Sequence, residues 1–450
     1  MSHYERTAVA ADNLTVNDLL NVAPITTKVQ DGVVFVGGVA LSDIIDEFGT
    51  ALYVYDEATL RKQLSDYLNE FRSRYEASDI IYAAKSFCCV AMDKIVAQEG
   101  VGIDVASGGE LAIAKAAGFP MDKVFVQGNN KTQLEIEEAI EAGVACFVVD
   151  THEELERINL VARGKDIKQK VILRICPGVE ADTLDYIMTA NEDSKFGFNI
   201  KNGAAKAATE YALKHTHLDM AGYHMHIGSQ IFDLSCWPVA IKVMFEFMNQ
   251  MRADLGYVAS ILDLGGGLGI PYLAGDKPSS IAQFAQVACD AVKECAELFD
   301  YPLPHLYTEP GRSVSANAGI TLYTVGSVKE NGGITYVAVD GGMTDNIRTA
   351  LYDSDYEAFV VERACEPRDM VCDVVGKHCE SGDVVVRNRS LQSCEAGQHV
   401  CVLGTGAYCN EMSSNYNKQV RPGIVMVADG KARLVVRRET YADLLARDVY

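Results

Sequence analysis

From residue 79 onward, short β-branched runs alternate with longer segments of helical spacing, and the alternation repeats about eight times. The runs fall at Asp79–Ala84, Val101–Val105, Lys123–Val126 and Ala145–Val149, then at Lys170–Ile175, Met220–His226, Ile261–Leu264 and His305–Thr308. Between them the spacing is helical, as in Ser279–Leu298, where Ile281, Phe284, Ala288, Ala291, Val292 and Cys295 share one face. A strand followed each time by a helix pairs in parallel with the next strand through a right-handed crossover. An open doubly wound sheet obeys the same rule, but eight near-equal units fit closure into a (β/α)8 barrel better.

The rhythm changes after Ala318. Strand-like runs follow at Ile320–Val328, Thr335–Val339, Asp369–Val375, Asp383–Val386, Val400–Leu403 and Ala432–Val436, with little helical spacing between them. This predicts a second, mainly β domain joined by N-terminal strands at Val33–Val36 and Leu52–Tyr55. The expected division is an N-terminal segment over 1–56, a barrel over 57–318 and a β domain over 319–450.

Charge narrows the partners. Forty basic against 62 acidic residues leave a net charge of -22, which opposes nucleic-acid phosphates and anionic lipid surfaces. The first residues lack a basic then apolar signal pattern, and no run of about 18 apolar residues occurs, so a cytoplasmic protein without a membrane span is expected. Thirteen scattered cysteines without a CxxC pair read as reduced thiols, mostly small buried hydrophobes, and give no support for a zinc knuckle.

On a barrel, chemistry belongs at the C-terminal strand ends. Lys85 follows the first run; Asp104 and Ser107 end the second; His224, His226 and Ser229 end the sixth. Gly265, Gly266 and Gly267 follow the seventh, and Glu309, Pro310, Gly311 and Arg312 the eighth. A glycine turn between the last two strands is where this fold commonly holds a phosphate through open backbone N–H groups. Lys85 reads either as a solvated strand end or as a lysine that forms a Schiff base with pyridoxal phosphate, its amine eased toward neutrality by desolvation. On the second reading Glu309 is the natural partner for the pyridine nitrogen and keeps the ring a strong electron sink. His224 and His226 alternate on a strand and face one side, which also invites a two-ligand metal reading. No further histidine at a strand end completes such a shell, so no metal is expected; His226 stacked on a cofactor ring and His224 filling the core explain the pair better.

Taken together and in order, Tyr82-Ala-Ala-Lys85, Asp104-Val-Ala-Ser-Gly-Gly-Glu110, Ser194-Lys-Phe-Gly197, His224-Met-His-Ile-Gly-Ser-Gln230, Gly265-Gly-Gly267, Glu309-Pro-Gly-Arg312, Cys379-Glu-Ser-Gly-Asp383 and Gly406-Ala-Tyr408 resemble the motifs of the diaminopimelate decarboxylases. That family lies in the alanine-racemase-like class of pyridoxal phosphate enzymes. The resemblance implies a barrel plus β domain, a homodimer with shared sites, and conversion of meso-2,6-diaminopimelate to L-lysine and carbon dioxide, the last step of lysine biosynthesis. It implies Lys85 as the cofactor-bearing lysine, His226 as the ring-stacking histidine, and Ser229, Gly266, Gly267 and Gly311 as phosphate holders. Glu309 then meets the ring nitrogen and Tyr408 the cofactor from the β domain. Arg312, Arg348 and Tyr352 match residues that hold the distal carboxylate, and Glu380 and Ser381 match those near the distal amine. Cys379 matches a thiol that moves a proton in the other subunit's site. Without the family, Arg348 and Tyr352 read as an exposed helical pair, Cys379–Asp383 as a turn, and Tyr408 as packing. A related decarboxylase acting on ornithine, arginine or carboxynorspermidine would share the cofactor residues but need no distal carboxylate pocket.

Overall fold

Eight strands pair in parallel and close on themselves, because Ser78–Ala83 takes Gly102–Val105 on one side and His305–Thr308 on the other. This computed structural model describes residues 9–178 and 195–449; Ser194, which opens one of the motifs, lies outside them. The intervening strands are Val124–Val126, Cys146–Val149, Gln169–Cys176, Leu218–His224 and Ile261–Asp263, each within a few residues of its expected run. Helices follow them, several with Ser or Thr side-chain caps. Thr132 and Glu135 form a capping box at one N-terminus, and Ser280 and Gln283 form another. Among the described residues no helix is long and apolar enough to cross a membrane.

The strands change character along their length. Ile81, Phe125, Cys146, Val148, Ile172, Ala221, Ile261 and Tyr307 form one buried cluster, and they come from seven strands, so they meet inside the barrel. Two residues further on the inward positions turn polar: Gln127 after Phe125, Asp150 after Val148, Arg174 after Ile172, Asp263 after Ile261, Glu309 after Tyr307. On the sixth strand a register shift between Met220 and Gly222 resets the phase and brings His224 level with Arg174 and Asp263. With Lys85 and Asp104, each strand supplies one polar residue at or just past its C-terminal end.

The chain divides into two units. Met1–Leu60, Pro271–Lys277 and Val314–Tyr450 form one, and Arg61–Ile270 with Pro278–Ser313 forms the barrel unit. In the first, Leu52–Asp56 lies in the middle of a large sheet, antiparallel to Gly319–Asn331 and parallel to Gly423–Ala428, with every residue buried. Val33–Val36 is a strand of this unit as expected, but it joins by packing: among the described residues it pairs in a small separate sheet with Lys28–Gln30 and Val39–Ala40, and Val34 and Val36 lie in one cluster with Val54, Ile320 and Val427. The cause is the turn after it: a Cβ on Gly37 would lie 2.7 Å from Val427, and Gly37 accepts from the Gly430 N–H, so the chain turns back before a ladder forms.

Candidate active site

Glu309 lies one residue past the last barrel strand and is 7% exposed. Both of its oxygens are held. Gln127 Nε2 donates to Oε1 at 2.5 Å, and His224 Nε2 lies 3.0 Å from Oε2. Burial alone would favour the acid, but His224, Lys85 and Gln127 together hold Glu309 below the usual carboxylate range. His224 is fully buried, which pushes it toward the neutral form, and its Nδ1 has no partner among the described residues. The neutral ring with its proton on Nε2 fits both facts, since an orphaned N–H would cost more than an orphaned lone pair in the dry interior. His224 is therefore the grip on Glu309 rather than the core filler expected. A buried nitrogen and two carboxylate oxygens from His224, Asp263 and Glu309 lie within 4.8 Å of one another, a donor set a cation takes, but the His224 contact is already spent on Glu309.

Around this centre stand the other strand-end residues. Lys85 lies in the short turn Ala84–Ser86 and is exposed. Its ammonium lies close enough to Asp104, Glu110 and Glu309 to favour the charged form of each. His226 is half-buried and its Nδ1 accepts from the Gly266 N–H at 3.3 Å, which fixes the ring plane. Gly266 has no room for a side chain: a Cβ there would sit 2.2 Å from the Glu309 carbonyl oxygen. Gly267 follows it in the same loop, and Gly311 packs against Ala83 and Ser86. The Pro310 carbonyl accepts from Ala83 N–H at 3.1 Å and ties the last strand's loop to the first strand. Arg312 donates to the Ser229 hydroxyl through Nη2 at 3.0 Å, so a guanidinium and a hydroxyl converge next to the glycine loops.

A second set lies in the other unit. Arg348 opens the short helix Arg348–Tyr352 and is 6% exposed, not the exposed helical position its spacing suggests. Its Nε donates to Tyr356 at 3.0 Å, and its guanidinium lies 5.4 Å from the Tyr352 ring and 5.3 Å from the Tyr408 ring. Among the described residues no carboxylate pairs with it. Tyr408 holds φ at 68°, a left-handed conformation that costs a non-glycine residue about 1 kcal/mol or more and points to a required ring position. Cys379, Glu380 and Ser381 are exposed in a turn, as the alternative reading had it. That turn is anchored from beneath: buried His378 bonds Asp383 Oδ2 at 2.8 Å and Thr344 at 2.9 Å, while Asn417 accepts from the Cys379 N–H at 2.8 Å.

Sequence reasoning passed over Gln127, Arg174 and Asp263. Their signal was present, a polar residue in phase with inward apolar ones at a strand end, but it is visible only once the inward phase of each strand is known.

The site's donors suit pyridoxal phosphate: a reachable amine, a buried anionic carboxylate with both oxygens gripped, side-chain-free loops and a guanidinium beside a hydroxyl. Residues 57–316 match the family model described as pyridoxal-dependent decarboxylase, pyridoxal binding domain. The chain is 42% identical over 421 residues to the diaminopimelate decarboxylase of Bacillus subtilis (strain 168), covering 93% of this chain and 96% of that one. It is 41% identical over 449 residues to the diaminopimelate decarboxylase of Mycobacterium tuberculosis (strain ATCC 25618 / H37Rv), covering 96% and 100%. The crystal structure of diaminopimelate decarboxylase from M. jannaschii in co-complex with L-lysine superposes with a TM-score of 0.89 at 33% identity, over 95% of this chain and 98% of that one.

Proposed function

This chain belongs to the diaminopimelate decarboxylases within the pyridoxal-dependent decarboxylases, and from that premise we infer that it converts meso-2,6-diaminopimelate to L-lysine and carbon dioxide with pyridoxal 5′-phosphate. When bound, the cofactor supplies an electron sink for the pair left behind as the carboxylate departs. The chain's own residues set how well it does so. Glu309, held anionic by His224 and Gln127, would meet the ring nitrogen and keep a proton there. A cation opposite that nitrogen, as racemases of the wider class use, would give a weaker sink; the carboxylate favours loss of carbon dioxide.

Lys85 would carry the cofactor through its amine, which is also the nucleophile that would return to release product. His226, its plane fixed by the Gly266 N–H, would lie against the ring. Ser229, Arg312 and the loops of Gly266, Gly267 and Gly311 would take the phosphate. The distal carboxylate of the substrate goes to Arg348, with Tyr352 and Tyr408 bracketing the guanidinium. Cys379 delivers the proton that replaces carbon dioxide, with Glu380 and Ser381 near the distal amine. We place Cys379 in the site of a partner subunit, so that the working enzyme is a homodimer in the cytoplasm with sites built from both chains.

One observation carries the choice of substrate: Arg348 is buried without an anion of its own among the described residues, and a guanidinium in that state is completed by a carboxylate ligand. Turnover of meso-diaminopimelate against ornithine and arginine tests it. Diaminopimelate is expected to be consumed with one lysine and one carbon dioxide formed for each; equal turnover of ornithine would refute the pocket.

A further inference from the structure

The ring of strand-end residues holds four carboxyl groups, Asp104, Asp150, Asp263 and Glu309, against two cations, Lys85 and Arg174. Asp263 is the most enclosed, with no exposed surface, at the last position of its strand. In register it has His224 on one neighbouring strand and Tyr307 on the other. The titratable groups that face it are Glu309, Asp104, His224, Cys146 and Tyr307, each of them acidic or neutral here. One of its oxygens accepts from the Gly265 N–H at 2.8 Å, while Oδ2 has no donor among the described residues. A carboxyl oxygen of Asp263 nonetheless lies within 4.8 Å of a Glu309 oxygen.

Two anionic carboxylates this close, in a dry interior with no cation between them, repel strongly, and an acceptor without a donor adds its own desolvation cost. A single proton removes both penalties. We propose that Asp263 is a neutral carboxylic acid that donates a hydrogen bond to Glu309, a positioning residue for the cofactor-facing carboxylate, a role that rests on the reading of Glu309 above. Burial and the Glu309 charge both push Asp263 well above the ordinary carboxylate range, in the same direction. Glu309 then has donors from three strands, Gln127, His224 and Asp263, and the centre keeps one negative charge rather than two.

The test uses the full chain, with and without cofactor. Infrared spectra of the native protein at neutral pH should show a protonated-carboxyl band that Asp263→Asn removes, with Asp104→Asn separating any share from that neighbour. Asparagine is neutral and still a donor, so Asp263→Asn should hold cofactor affinity near native. Asp263→Leu, which has no donor, should weaken it about tenfold or more. If asparagine does not fold at this position, Asp263→Ser provides the donor instead. No band assignable to Asp263, or equal losses in the asparagine and leucine variants, would overturn the proposal and make Asp263 an anion needed as such. Failure of the Glu309 reading looks different: Glu309→Gln would then bind cofactor with native absorbance and turnover, while the Asp263 band stays in place.

Discussion

A guanidinium withdrawn from water among tyrosines is stable only while its remaining donors are satisfied, and among the described residues Arg348 has the Tyr356 and Ser354 hydroxyls for that duty. The substrate's distal carboxylate supplies the missing partner. Arg348→Ala should therefore raise KM for diaminopimelate roughly tenfold or more, since a charge-assisted contact contributes about 1.5 to 3 kcal/mol, with cofactor affinity unchanged. Arg348→Lys should rescue little, because an ammonium lacks the planar fork and stacks less well between rings. Steady-state kinetics beside a cofactor titration read both; equal loss in the two measurements would make Arg348 structural. At this scale the sequence was legible where motifs are contiguous, as at Lys85 and Glu309. It was silent on what Glu309 leans on, because Gln127, His224 and Asp263 are far apart in the chain and only barrel closure joins them.

Asp345 shows what a single loop can do to the element it serves. It follows the strand Ile334–Val339, accepts from the Gly342 N–H at 2.9 Å, and is buried enough to be pushed from 3.8 up to about 7. Such an acid keeps a proton in the folded chain that the unfolded chain gives up, so stability falls as pH rises from 3.8 to about 7 and is level above that. Asp345→Asn has no proton to lose. Across that window the variant should gain on the native protein by up to a few kcal/mol, read as a growing difference in thermal midpoint. A difference that stays flat would mean that Asp345 is ionised throughout. Elements with a clear period were readable in advance, and the barrel strands fell within a few residues of expectation. Gly423–Ala428 was not, since a continuous apolar run buried on both faces has no period to read, and the separate small sheet of Val33–Val36 was not, because pairing depends on a turn that only tertiary contact explains.

For the whole molecule, the proposal that Cys379 serves a partner's site makes a quantitative demand. Lys85→Ala and Cys379→Ala homodimers should each be nearly inactive. Mixed after dissociation, half the dimers are hybrids in which one site carries both lesions and the other neither, so activity should return to roughly a quarter of native. Hybrids confirmed by native mass spectrometry without any recovery would confine Cys379 to its own chain's site. Subunit arrangement has no sequence period of its own, which is why it was reachable only through resemblance while barrel and β domain were not. The change from apolar to polar two residues along five of the barrel strands also makes catalysis a proofreader of folding. Side chains alternate between faces with period two, so a slip of one residue on any strand would turn its polar end outward and its greasy outer face inward. A chain trapped in that state could look well folded by its helix content, yet it would have lost a member of the ring; turnover, rather than spectroscopy, is the measure of correct register.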